Sequence, residues 1–86
     1  MSWQWVLTNP AERDLRKLNR AVRRRIFDAL DRFAEDPGRG DVRKLAGTDD
    51  EWRLRVGPWP VRYRFDTEAQ TVVVTRVIDR KEAYRD

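Results

Sequence analysis

The sequence predicts an α+β domain: an N-terminal strand and a helical hairpin packed on a mainly antiparallel, four-stranded sheet, in the order β-α-α-β-β-β. Three observations carry this. Apolar residues recur at helical spacing between residues 10 and 35. They alternate with charged residues between 51 and 66, in EWRLRVGPWPVRYRF. Near the C-terminal end they form an unbroken run, Val72-Val73-Val74, of the kind found in a strand covered on both faces.

Trp3 to Thr8 alternates Trp3, Trp5 and Leu7 with Gln4, Val6 and Thr8 and reads as the first strand. Asn9-Pro10-Ala11-Glu12 is a helix start, with Asn9 as the cap, Pro10 in the first turn and Glu12 three residues after the cap. Ala11, Leu15 and Leu18 then share one helical face. Asn19 caps a second helix, in which Val22, Ile26, Leu30 and Phe33 keep the apolar spacing and Phe27 and Ala34 widen it. Asp36-Pro37-Gly38 ends that helix, and residues 37–50 read as loop. Trp52–Val56 and Val61–Asp66 are the second and third strands. After a turn at Asp66-Thr67-Glu68-Ala69, Thr71–Ile78 is the fourth. No repeat, linker or low-complexity stretch interrupts the order, so residues 1–86 read as a single domain.

The chain has 86 residues, nineteen basic against fifteen acidic, and a net charge of +4. Only Lys17, Lys44 and Lys81 are lysine; every other base is arginine, the better bidentate ligand for phosphate. Arginine is also enriched by a GC-rich genome, so its positions matter more than its number. With no cysteine, no disulfide can form, which fits a reducing compartment. No stretch reads as a signal peptide or a membrane span, and the expectation is a soluble, cytoplasmic protein with no membrane partner. Without histidine or cysteine the usual transition-metal and thiol sites are excluded, and no metal or cofactor is expected. Gly38-Arg39-Gly40-Asp41 lacks the strand and the Lys-Ser/Thr that a phosphate-binding loop requires.

On the two middle strands the helices should cover Leu54, Val56, Val61, Tyr63 and Phe65. Arg53, Arg55, Arg62 and Arg64 then point away from them. If the last strand pairs antiparallel, Arg76, Arg80, Lys81, Tyr84 and Arg85 join this side. The result is a basic patch with Tyr84, Trp59 and Trp52 as candidate rings, the footprint of nucleic-acid binding. Each piece also has a plain structural reading. Alternating arginines mark any solvated sheet face, Trp52 fits the core beside Leu54, Trp59 fits a packing plug as well as an exposed ring, and Tyr84 fits a packing anchor. Arg23-Arg24-Arg25 reads as a solvated turn of helix or part of a partner surface.

The ordered set RKLAG at 43–47, EWRLRVG at 51–57, VRYRFD at 61–66 and VIDRKEAYR at 77–85 resembles the RelE/ParE toxin superfamily of type II toxin–antitoxin systems, over essentially the whole chain. The closing segment with Arg80 and Tyr84 is more similar to the RelE branch. That resemblance implies a metal-independent endoribonuclease (an mRNA interferase) that cleaves messenger RNA in the ribosomal A site and inhibits translation. Its implied partners are a cognate antitoxin, with which it would form a hetero-oligomer, the ribosome and mRNA. It implies catalytic roles for Arg53 and Arg55 on the scissile phosphate, Arg80 on the phosphorane or leaving group, and Tyr84 on the nucleophile. Arg62, Arg64, Arg76, Lys81, Arg85 and Trp59 would bind RNA. The ParE branch, which inhibits DNA gyrase without catalysis, shares the fold, and a purely binding relative is a third reading. One departure stands out: where the family has Gly-x-Tyr-Arg, this chain has Gly57-Pro58-Trp59-Pro60, with proline in the arginine's place and Arg62 two residues on.

Overall fold

The computed structural model describes residues 3–37, 42–44 and 51–78. The elements are β1 (Gln4–Leu7), α1 (Asn9–Arg16), α2 (Arg20–Glu35), β2 (Val42–Lys44), β3 (Trp52–Val56), β4 (Trp59–Asp66) and β5 (Thr71–Val77). The strands form one sheet in the order β1-β5-β4-β3-β2, with β1 parallel to β5 and the other neighbours antiparallel. This is the predicted α+β architecture with one addition: Val42–Lys44, inside the stretch read as loop, pairs antiparallel with β3 as a short edge strand.

Both helices contribute to one core. Ala11 and Leu15 of α1 and Ile26, Leu30 and Phe33 of α2 are buried together with Leu54, Val56, Val61, Tyr63, Val72, Val74 and Val77 of the sheet. The alternation fixes this face: in β4, Val61 and Tyr63 are fully buried while Arg62 and Arg64 are exposed. Edge-on ring contacts link Tyr63 to Phe33 at 5.0 Å and to Phe65 at 5.4 Å. Trp5 stacks on Phe27 at 5.6 Å, and its indole N–H donates to Asp31 at 2.8 Å, fastening α2 to β1.

The helix starts differ in one respect from expectation. Asn19 caps α2 as predicted, its side chain accepting from the Val22 N–H at 2.9 Å. At α1 the cap is Thr8 rather than Asn9, and Asn9 lies in the first turn beside Pro10. The reason is tertiary. The Thr8 hydroxyl accepts from Ala11 N–H and also donates to the Thr75 carbonyl at 3.0 Å, so the same group ends the strand, starts the helix and ties both to β5. β4 begins at Trp59, two residues earlier than expected, because Gly57-Pro58 is a two-residue hairpin turn with Val56 opposite Trp59. Gly57 has φ +58°, which, followed by proline's fixed negative φ, is the combination of a type II′ turn. Among the described residues no helix is long and apolar enough to cross a membrane.

Candidate nucleic-acid interface

The face of the sheet opposite the helices carries the predicted arginines. Arg55, Arg62 and Arg64 are exposed. Arg53 is half-buried, and its Nε is buried without a hydrogen-bond partner. The register arranges these residues in a way that alternation alone does not reveal. Arg43 of β2 stands opposite Arg53, Arg53 opposite Arg62, and Arg62 opposite Arg76. Four adjacent strands thus each place an arginine on one cross-strand row. Like charges directly opposite each other destabilise a sheet, so the fold itself gives no reason for such a row. Arg53 and Arg62, paired on neighbouring strands, suit a polyanion, while the Arg76 guanidinium is engaged by Asp14. The neighbouring rung, nearer the hairpin turn, pairs Arg55 with Pro60 and so holds a single cation.

Arg76 reaches the row only because β5 carries a bulge. Tyr63 pairs with Val74 and Arg62 with Arg76, which leaves Thr75 as an extra residue. Uninterrupted alternation from Val72 and Val74, both fully buried, would send Arg76 into the core. The extra residue returns Arg76 to the row and puts Val77 opposite Val61 in the core. Thr75 is held from several sides. Its hydroxyl donates to Glu51 Oε1 at 2.9 Å and lies 3.3 Å from the Arg62 carbonyl, and its own carbonyl accepts from Thr8.

Asp14 of α1, at 9% exposure, is the buried charged group among the described residues. Its Oδ2 accepts from Arg76 Nε at 2.7 Å and from the Val77 N–H at 2.9 Å, and its Oδ1 accepts from Arg76 Nη2 at 3.2 Å. This bidentate pair links α1 to the end of β5. Sequence reasoning passed over Asp14. The available signal was an acid three residues after Ala11 and next to Leu15, within the apolar stripe of a short helix.

Two rings fall outside the arginine face. Trp59 shares the parity of Val61 and Tyr63 and packs against the core, with the Arg25 guanidinium 5.9 Å above its ring. Its flanking prolines mimic an exposed turn, but it is the first residue of β4, so alternation sends it to the helix side. Trp52 lies on that side too, against Phe65 at 6.3 Å. Tyr63 is also no part of the interface. Burial pushes its hydroxyl up to about 12, and the hydroxyl has no hydrogen-bond partner. Arg80, Lys81, Tyr84 and Arg85 lie outside the described residues.

A second basic surface lies on the helices. Residues 12–25 hold seven arginines and lysines against Glu12 and Asp14. Here Leu7, Leu15 and Phe27 floor an open groove of about 290 Å³, rimmed by Glu12, Arg16 and Arg23.

The family model of the ParE toxin of type II toxin–antitoxin systems, parDE, matches residues 6–84. No curated protein matches the chain. Among solved structures, the toxin–antitoxin complex RelBE2 from Mycobacterium tuberculosis is similar at 28% identity, with TM-score 0.80, over 90% of this chain and 96% of that one. The archaeal RelE–RelB complex from Pyrococcus horikoshii is similar in fold at 24% identity and TM-score 0.77, over the full length of both chains. The isolated RelE toxin of E. coli shares the fold at 24% identity and TM-score 0.74, over 96% of this chain and 92% of that one.

Proposed function

The chain belongs to the ParE toxin family of type II toxin–antitoxin systems, and from that premise we propose that it is a RelE-like toxin that cleaves messenger RNA in the ribosomal A site. The observation that carries this reading is the cross-strand row of arginines on the open face of the sheet. In the proposed reaction a ribose 2′-oxygen attacks the adjacent phosphorus and the bond to the 5′-oxygen breaks, leaving a 2′,3′-cyclic phosphate and a 5′-hydroxyl. Arg53 and Arg55 hold the scissile phosphate, Arg80 stabilises the charge that develops on it, and Tyr84 orients the 2′-hydroxyl or takes its proton. Arginine stays protonated and cannot be that base. The cognate antitoxin is proposed to mask the basic face with carboxylates, as charge complementarity favours. Support for an antitoxin partner comes from the similar chains of M. tuberculosis and P. horikoshii, whose structures are toxin–antitoxin complexes.

The test is expression with and without a small acidic protein encoded beside the gene, followed by mapping of RNA ends. Growth arrest with cuts in translated messages is expected. Tyr84→Phe should slow single-turnover cleavage of programmed ribosomes by about 10- to 1,000-fold. A Tyr84→Phe protein that cuts at the wild-type rate would remove Tyr84 from the mechanism. The second reading, inhibition of DNA gyrase without catalysis, is favoured by the match to the ParE model and by the basic helical surface. It requires arrest with DNA damage, intact messages and an Arg80→Ala variant that is still toxic.

A further inference from the structure

We propose that Glu51 is the general base of the cleavage reaction and takes the proton of the attacking 2′-hydroxyl on its Oε2. The inference rests on the reading above that this face cuts RNA, and adds where the proton goes; Tyr84 then keeps only the orienting role. Few groups can accept that proton. The chain has no histidine, and the arginines of the face stay protonated. As the 2′-oxygen bonds to phosphorus, its proton passes to the Glu51 carboxylate and the bond to the 5′-oxygen breaks. The 5′-oxygen takes a proton from water, and the hydroxide so formed removes the proton from the carboxylic acid, which restores Glu51.

Glu51 directly precedes β3 and has the parity of Arg53 and Arg55, so it starts from the arginine face. Its Oε1 accepts from the Thr75 hydroxyl at 2.9 Å. Thr75 belongs to β5, and β4 lies between β5 and β3. Two strand spacings are about 9.6 Å, so this bond draws the carboxylate over β4, the strand that bears Arg62 and Arg64. The anion is thus set beside Arg62 and its cross-strand partner Arg53, the cations suited to the phosphate. The bulge is what makes this possible. Thr75 is its extra residue, and bulges next to reaction sites serve to re-aim side chains. The holder is itself held, since the Thr75 carbonyl accepts from Thr8 and its hydroxyl lies 3.3 Å from the Arg62 carbonyl. One carboxylate oxygen of Glu51 is therefore fixed, and the other has no hydrogen-bond partner among the described residues. The neighbouring acids are occupied: Asp14 by Arg76 and the Val77 N–H, and Asp66 by the Ala69 N–H of its turn.

Single-turnover cleavage of programmed ribosomes, with ribosome affinity measured alongside, tests this. Glutamine still accepts from Thr75 through its amide oxygen but takes no proton, so Glu51→Gln keeps the link to β5 and loses the base. Its rate should fall by about 100-fold or more. Its affinity should hold or rise, because an anion has left a basic face. Thr75→Val keeps the carboxylate without its holder and should cut about 10-fold more slowly. Added formate should restore part of the rate to Glu51→Ala, where the side chain leaves room for it, and none to Glu51→Gln. Thermal melts confirm that each variant is folded. A folded Glu51→Gln protein that cuts within about twofold of the wild-type rate overturns the assignment. So does a loss of rate matched by an equal loss of affinity, which would make Glu51 a binding or structural residue. Both of these outcomes leave the cleavage reading standing. A wild-type protein that arrests growth with messages intact overturns that reading and the base together, so the two failures are told apart by the wild type alone.

Discussion

The arginine face of the sheet and the corner made by α1 and α2 are both basic, and they differ in how their charge is held. The corner has more of it: seven cations within residues 12–25 exceed the net charge of the whole chain. Yet most of those side chains project from exposed helix positions, where each is separately solvated. On the sheet, fewer arginines are locked by strand pairing into direct opposition, at a cost to the sheet. Net charge therefore marks the corner and register marks the face. A diffuse surface steers anything anionic, whereas an ordered row selects an anion with regularly spaced charges.

Charge reversal sharpens that comparison most. Arg62→Glu should lower affinity for single-stranded RNA about 100-fold, since it removes a contact and repels the next phosphate, equivalent to about 2.7 kcal/mol. Arg24→Glu on α2 should lower it by no more than about 3-fold at physiological salt, where an exposed charge beyond the contact is largely screened. Equal losses in an anisotropy titration would erase the distinction between the two surfaces.

Asp14 joins the two regions, so its removal probes both. Asp14→Ala leaves the Val77 N–H without its acceptor and the Arg76 guanidinium without this carboxylate. Because Arg76 is substantially exposed, the cost expected in urea unfolding is about 1–3 kcal/mol, below that of a fully buried pair. Asp14→Asn should destabilise less and bind RNA more tightly than wild type, because a negative charge beside the row is gone. Weaker RNA binding by a folded Asp14→Asn protein would show that Arg76 acts through its fixed position and not through its charge.

The smallest effect lies beneath the row, on its core side. Tyr63 is fully buried with an unpartnered hydroxyl, so Tyr63→Phe should leave stability at neutral pH unchanged or raise it by about 1 kcal/mol. The pH dependence has a definite sign. With the folded value at about 12 against the ordinary 10, the unfolded chain ionises first. The resulting stability is present in full below about pH 10 and lost as pH rises through about 12, roughly 2–3 kcal/mol across the window. Unfolding of Tyr63→Phe should lack this alkaline loss, with RNA binding unaltered.

The architecture was legible where a single periodicity ran unopposed. Val61, Arg62, Tyr63 and Arg64 declare their faces, and Val22, Ile26, Leu30 and Phe33 declare theirs. What was not legible depends on partners far along the chain. Thr8 outcompetes Asn9 as a cap because Thr75 accepts its hydroxyl proton. Val42–Lys44 is too short to show a period and becomes a strand by pairing with β3. The predicted site was legible as a set of arginines, but not as a row, because register is a property of two strands and the bulge at Thr75 has no marker in Thr-Arg-Val. The parity of Trp59 was in the sequence, obscured by prolines that resemble a turn.

The extra residue at Thr75 acts as a phase setting. Upstream of it β5 is read in one frame, with Val72 and Val74 inward; at Arg76 and Val77 it is read in the other. Inserting a second residue here would transpose the end of the strand, whereas deleting the extra one would restore plain alternation, with Val74 inward, Arg76 outward and Val77 inward, at the cost of the hydrogen bonds that Thr75 makes to Glu51 and Thr8. The same insertion in the turn after Asp66 would alter a connection that belongs to neither frame. Tolerance to an added residue should thus differ sharply between two sites only a few residues apart, the turn accepting it and the segment between Val74 and Arg76 resisting it.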